Sequence, residues 1–155
     1  MDNPIRQQVL DLIPQQKPFR FVDDILELTD SAIVSTYRFK PDEYFYKGHF
    51  PGNPITPGVI LIETMAQAAV VGLAISRFIE QGMSPKTLKT INTLFTLADA
   101  VEFYEIVKPG DQVIVRGELV YFRKGTLKSN VSLELENGTL ACQGQLTGTG
   151  VTHNA

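Results

Sequence analysis

Thiols, imidazoles and clustered basic residues are scarce in this chain. It has one cysteine, Cys142, and two histidines. A single thiol excludes an intrachain disulfide and a cysteine-cluster metal site. Cys142 lies in the alternating stretch Leu140-Ala141-Cys142-Gln143-Gly144, where a small buried residue is a plainer role than a thiol nucleophile. The 14 Lys and Arg residues are scattered and the net charge is -3, so there is no electrostatic footprint for nucleic acid. Hydrophobic residues make up 43% and charged residues 20%, a balance that is ordinary for a globular protein and argues against disorder. There are no internal repeats, low-complexity segments or linkers. Residues 1–155 therefore read as a single domain with its own core. Met1 to Leu10 has no apolar h-region, so no secretory signal is expected and the cytoplasm is the expected compartment.

Periodicity then divides the chain. Ile5, Val9, Leu12 and Ile13 fit a short amphipathic helix stopped by Pro14. Phe19 to Leu28 reads as a strand. Ala32 to Phe39 alternates and reads as a half-buried strand. Thr29-Asp30-Ser31 makes the turn between them. Pro41, Pro51, Pro54 and Pro57 stiffen a long loop. Val59 to Gln81 reads as one long helix, ended by Gly82. It is apolar nearly all round, long enough to raise the question of a membrane span. Glu63, Gln67, Ser76 and Arg77 interrupt it and no basic flank sets a topology, so a helix buried in the fold is expected and no membrane partner. Strands follow over Thr90 to Leu97, Val101 to Val107, Gln112 to Arg123, Thr126 to Leu135 and Thr139 to Thr147. Lys124-Gly125 and Glu136-Asn137-Gly138 supply turns. Gly148 to Ala155 reads as a frayed tail. The order predicts an α+β fold, an antiparallel sheet curled around one central helix.

The chemistry concentrates in Gly48-His49-Phe50-Pro51-Gly52-Asn53-Pro54-Ile55-Thr56-Pro57-Gly58, followed by Glu63 and Gln67. A lone loop histidine is usually structural, but the glycines and prolines hold this one rigidly. A neutral imidazole serves as a base near neutral pH. Glu63 stands fourteen residues on, among Val59, Ile60, Leu61, Ile62, Met65 and Ala66. A first-turn glutamate ordinarily just complements the helix dipole. Burial among these neighbours would instead raise its pKa and suit it to act as an acid, although the helix N-terminus pulls the other way. Gln67 is one turn later on the same face, within reach of that carboxyl; a plain packing role is the alternative. Gly58 opens the helix with an N–H that has no intrahelical partner, and with no side chain in the way a carbonyl oxygen can approach it. It could equally be only a turn glycine.

The pattern His49-Phe50-x-Gly52-x-Pro54-x-x-Pro57-Gly58-x-x-x-x-Glu63-x-x-x-Gln67 resembles the 3-hydroxyacyl-acyl-carrier-protein dehydratases of bacterial fatty acid synthesis. Pro18-Phe19-Arg20-Phe21-Val22-Asp23 and Val107-Lys108-Pro109-Gly110-Asp111 extend the likeness over most of the chain. A glutamate rather than an aspartate at 63 is closer to the branch that dehydrates without isomerising. The resemblance implies the hotdog fold and a homodimer in which His49 of one subunit faces Glu63 of the other. Such dimers often assemble further into trimers of dimers. It implies that His49 removes the C2 proton of a 3-hydroxyacyl thioester, that the Gly58 N–H holds the thioester oxygen, and that Glu63 helps the hydroxyl leave. Phe50, Pro57 and Gln67 complete the substrate-binding set. No metal or redox cofactor is implied, because the acyl carrier protein brings its own phosphopantetheine.

One stretch departs from the family. Where Lys and Arg usually flank a Phe and receive the acidic carrier, this chain has Ala100-Val101-Glu102-Phe103-Tyr104-Glu105-Ile106. Two exposed acids there would oppose an acidic partner, which points to an unusual carrier, such as one dedicated to a polyketide or polyene pathway. Lys40, Lys47, Lys86 and Lys89 are the candidates for an alternative basic face; a solvated surface is the simpler role for them. Two other functions stay open: a hotdog thioesterase, which would not explain the His49 loop, and a non-catalytic acyl-binding subunit, which would ordinarily lack the histidine or the acid.

Overall fold

The computed structural model describes residues 4–153. A first helix, α1 (Pro4–Leu12), precedes a hairpin of β1 (Asp24–Leu28) and β2 (Ala32–Arg38). The long helix α2 (Gly58–Glu80) follows the proline-rich loop. A short helix, α3 (Pro85–Leu88), leads into β3 (Ile91–Phe103), β4 (Gln112–Arg123), β5 (Thr126–Leu135) and β6 (Leu140–Thr152). One six-stranded sheet runs in the order β1-β2-β4-β5-β6-β3, and each neighbouring pair is antiparallel.

The sheet curls around α2. Leu61, Met65, Ala68, Ala69, Leu73 and Ala74 are buried against Ile33, Val113, Val115, Leu127, Leu133 and Leu146 in one core. The helix is long and apolar enough to cross a membrane, yet 78% of its most apolar window is buried inside the fold. The sheet thus accounts for its hydrophobicity. Mid-helix, residues Gln67–Gly72 form a π-helical segment. Nothing in the periodicity announced it. Two tertiary contacts meet it there: β4 crosses so closely that a Cβ at Gly117 would lie 2.4 Å from the Ala69 Cβ, and the Ser129 hydroxyl donates to the Ala69 carbonyl. Replacing Gly117 by alanine should cost about 1–3 kcal/mol through overpacking. That lowers Tm by roughly 2–4 °C per kcal/mol for a chain of this size. Calorimetry of Gly117→Ala with an unchanged Tm would disprove the close approach.

Local chemistry explains the tight turns. Lys124 and Gly125 both have positive φ, 52° and 75°, the pair a two-residue hairpin turn requires. In the next turn Gly138 has φ 89° and the Asn137 Oδ1 accepts from the Thr139 N–H at 3.0 Å.

Five expectations are corrected. The strands expected over Thr90 to Leu97 and Val101 to Val107 are one strand, β3, bent by irregularities between Phe95 and Leu97 and between Asp99 and Glu102. Ala100 adopts φ 51° at the second, and the bulge disguised the continuity. Residues after Phe103 leave the sheet. The tail expected from Gly148 is instead the end of β6 as far as Thr152, paired with β3 from Ile91 onward. Residues 154 and 155 lie outside the described part. The glycines there are sites of close packing: a Cβ at Gly148 would come within 2.7 Å of Val70. Only Asp24–Leu28 of the expected Phe19–Leu28 strand pairs as strand. β2 is buried at five consecutive positions, Ile33 to Tyr37, so both of its faces are covered. The helix α3, capped by Ser84 whose Oγ accepts from the Thr87 N–H, was not anticipated.

Candidate active site

The loop before α2 is suspended from an aromatic cluster. Phe21, Tyr37, Phe39, Phe45 and Tyr46 meet edge to face or tilted, with centroids 4.8–6.5 Å apart. The Tyr46 and Thr56 hydroxyls are 2.7 Å apart, and burial pushes the Tyr46 phenol up to about 12. The Thr56 N–H donates to the Val107 carbonyl at 2.9 Å. The chain between these anchors is cross-tied by Phe50 N–H to Asn53 O, Asn53 N–H to Phe50 O and Ile55 N–H to His49 O.

His49 is therefore held at several points. Its N–H donates to the Phe45 carbonyl, its ring stacks on Phe50 at 4.1 Å, and its Nδ1 lies 2.8 Å from the Ile55 carbonyl. A carbonyl can only accept, so the neutral ring carries its proton on Nδ1. The lone pair is then on Nε2, the atom left to take a proton. Phe50 is half exposed beside it.

Pro57 and Gly58 turn the loop into α2. The Pro57 carbonyl accepts from Ile60 and Leu61 at 2.9 and 3.1 Å, which starts the helix. Gly58 leads it, with an N–H that meets no acceptor among the described residues. The Phe103 ring packs over Gly58, and a Cβ there would touch that ring at 3.0 Å. Glycine thus keeps the backbone bare beneath an aromatic lid.

Glu63 sits half-buried one turn on. Desolvation raises its pKa above the ordinary carboxylate value, opposed by a hydrogen bond from Gln67. It lines a cavity of about 200 Å³ whose other walls include Ala66, Val70, Val71, Leu94 and Phe95. Burial is the larger of the two influences, and the Gln67 hydrogen bond the smaller.

Gln67 is fully buried, and its carboxamide is engaged on every side. Nε2 donates to Glu63 Oε1 at 3.0 Å and to the Phe19 carbonyl at 2.9 Å. Oε1 accepts from the Phe21 N–H at 2.7 Å. It therefore fixes Glu63 and gives Phe19 and Phe21 backbone partners although that segment does not join the sheet. Sequence spacing revealed the link to Glu63; the two backbone bonds cross 46 and 48 positions and left no local signal.

His49 does not line the cavity that holds Glu63. Cys142 is fully buried, and burial pushes its thiol up to about 12, which suits packing and not nucleophilic attack. Among the described residues no group of three or more His, Cys, Asp and Glu is gathered as a metal site.

A family model described as "FabA-like domain" matches residues 13–145. The chain is 35% identical over 144 residues to 3-hydroxyacyl-acyl-carrier-protein dehydratase FabZ of Thiobacillus denitrificans, across 92% of this chain and 94% of that one. It is 31% identical over 140 residues to the FabZ of Caldicellulosiruptor bescii, across 90% and 93%. Among solved structures it resembles the dehydratase heterocomplex ApeI:P from Xenorhabdus doucetiae, with TM-score 0.76, 16% identity and coverage of 94% and 91%. A hypothetical thioesterase with coenzyme A from Streptococcus pneumoniae aligns at TM-score 0.57 and 15% identity over 85% and 88%. These structural likenesses show the shared hotdog fold.

Proposed function

The chain belongs to the FabA-like family of 3-hydroxyacyl-acyl-carrier-protein dehydratases, and on that premise we propose that His49, Gly58 and Glu63 carry the removal of water from a 3-hydroxyacyl thioester. His49 Nε2 takes the C2 proton. The Gly58 N–H donates to the thioester oxygen and stabilises the negative charge that builds on it. The electrons of the C2–H bond become the C2–C3 double bond, and the C3–O bond breaks as Glu63 gives its proton to the departing hydroxyl. The products are water and a trans-2-enoyl thioester. The observation that carries this reading is a complementary pair: an imidazole whose Nδ1 faces the Ile55 carbonyl and leaves Nε2 to accept a proton, and a carboxyl whose burial favours the protonated form. Glu63 in place of an aspartate supports the branch that does not isomerise. The test is the dehydration of a short 3-hydroxyacyl thioester, read by absorbance of the conjugated product. A protein that turns over nothing with any carrier, or that only hydrolyses acyl thioesters, would refute it.

The site needs two subunits in this reading, which supports a homodimer and leaves room for a trimer of dimers. β3 is an edge strand of 13 residues. It exposes Leu94, Phe95, Leu97 and Phe103. A long apolar edge of this kind requires a cover, and β3 also walls the Glu63 cavity through Leu94 and Phe95. The compartment in this reading is the cytoplasm, where a free thiol such as Cys142 stays reduced.

The carrier is the unusual part. Glu102 and Glu105 are exposed on either side of Phe103 and Tyr104, next to the ring that covers Gly58. Lys40 cannot readily compensate: it pairs with Asp23 at 3.2 Å and lies over the Tyr37 ring at 4.0 Å. An ordinary acidic carrier should bind weakly, and the reading favours a carrier with a less acidic face, of the kind a dedicated polyketide or polyene pathway would supply. Glu102→Lys with Glu105→Lys should tighten binding of an acidic carrier by about tenfold at low salt. Titration calorimetry showing no change would remove the argument.

A further inference from the structure

The cavity beside Glu63 is lined by two polar side chains that the reaction above does not use, Gln15 and Thr93, and Gln15 is the one with an unpartnered buried atom. Gln15, from the turn after Pro14, lines it together with Glu63, Ala66, Val70, Leu94 and Phe95. Its Oε1 is buried and has no hydrogen-bond partner among the described residues. The backbone around it is fixed: Arg20 donates to the carbonyls of Leu10, Ile13 and Gln15 at 2.6, 3.3 and 3.4 Å. A buried acceptor without a donor is unfavourable, and native structures keep one only for a reason.

The substrate of the proposed reaction supplies that reason. The acyl part of a 3-hydroxyacyl thioester has a single hydrogen-bond donor, its C3 hydroxyl. The oxygen of that hydroxyl must face Glu63 to receive a proton. Its own hydrogen then points elsewhere, into a cavity whose walls are chiefly aliphatic and aromatic. We propose that the Gln15 Oε1 accepts the C3 hydroxyl hydrogen, turns the hydroxyl lone pair toward Glu63, and then holds the departing water. No bond to Gln15 forms or breaks. It is a substrate-contacting residue that selects for the 3-hydroxyl, and this role rests on the dehydratase reading.

Binding separates this role from a structural one. Take the His49→Ala protein, which should turn its ligand over at least about a hundredfold more slowly, and measure the affinity of a 3-hydroxyacyl thioester and of the matching 3-deoxy acyl thioester. The hydroxylated ligand should bind about tenfold tighter, the usual size of one well-placed hydrogen bond. Adding Gln15→Met, similar in length but without the amide acceptor, should make the two ligands equal while affinity for the 3-deoxy ligand holds. Gln15→Glu, which keeps an acceptor oxygen, should retain the preference. The same preference in the Gln15→Met protein would overturn the proposal alone. Failure of both thioesters to bind the His49→Ala protein, in the presence of a folded dimer, would overturn the dehydratase reading and this proposal with it.

Discussion

His49→Ala and Glu63→Gln should each reduce kcat/KM for a 3-hydroxyacyl thioester by on the order of 10²–10⁴-fold, the usual contribution of one positioned acid or base. Neither should disturb folding. His49 Nδ1 satisfies only the part-buried loop carbonyl of Ile55, and a glutamine at 63 still accepts from Gln67 through its amide oxygen. The decisive experiment mixes the two. If His49 of one subunit serves Glu63 of its partner, each mixed dimer has one site with both residues intact and one with neither. Co-refolding equal amounts should restore about a quarter of the wild-type rate, because half the dimers are mixed and each holds one good site of two. A site contained within one subunit would give no recovery at all. Near-wild-type turnover by either single variant would dismiss its catalytic assignment.

Gln67→Leu should lower the unfolding free energy by about 2–4 kcal/mol, since it strands the Phe21 N–H and the Phe19 carbonyl together. Urea denaturation measures this, and a loss under 1 kcal/mol would show that those groups find other partners. The same substitution has an electrostatic effect. Gln67 lowers the Glu63 pKa by donating to its carboxylate, against the larger upward push of desolvation. Without it the pKa rises further. Activity that depends on protonated Glu63 is lost as pH climbs through that pKa, so this descending limb should move to higher pH in Gln67→Leu. Stability follows the same sign. A folded state that binds the Glu63 proton more tightly than the unfolded chain is stabilised below the ordinary value of 4.5. That contribution disappears as pH rises through the elevated value. The decline should extend to higher pH in the variant. A limb that stays in place would mean the hydrogen bond does not govern Glu63.

Much of this was legible because it is written locally. Lys124-Gly125 and Asn137-Gly138 declare their turns by the φ values they tolerate. The i,i+4 spacing of Glu63 and Gln67 predicts the bond that is found. The α+β order and the wrapped central helix follow from one apolar run too hydrophobic for a surface. What escaped was fixed across the fold. Asp99-Ala100 looked like a break between strands, because a bulge with a left-handed alanine is stable only when β6 pairs on both sides of it. Gly148 and Gly150 looked like a tail, because their lack of side chains answers to Val70, Phe78 and Ile91, all distant in sequence. Gln15 carried no signal; an orphaned acceptor exists only once the cavity around it does.

The π-helical segment at Gln67–Gly72 has one more consequence. An α-helix turns roughly 100° per residue, so an ordinary 23-residue helix would lock the bearing of its first two turns to that of its last two. The wider turn uncouples them. The leading half can aim Glu63 at the cavity while Leu73 and Ala74 in the trailing half keep their own bearing into the core. Loss of a single residue within the segment would swing the two halves relative to each other by about a quarter of a revolution. The acid would then point away from its chamber although every side chain of the site remained in the sequence.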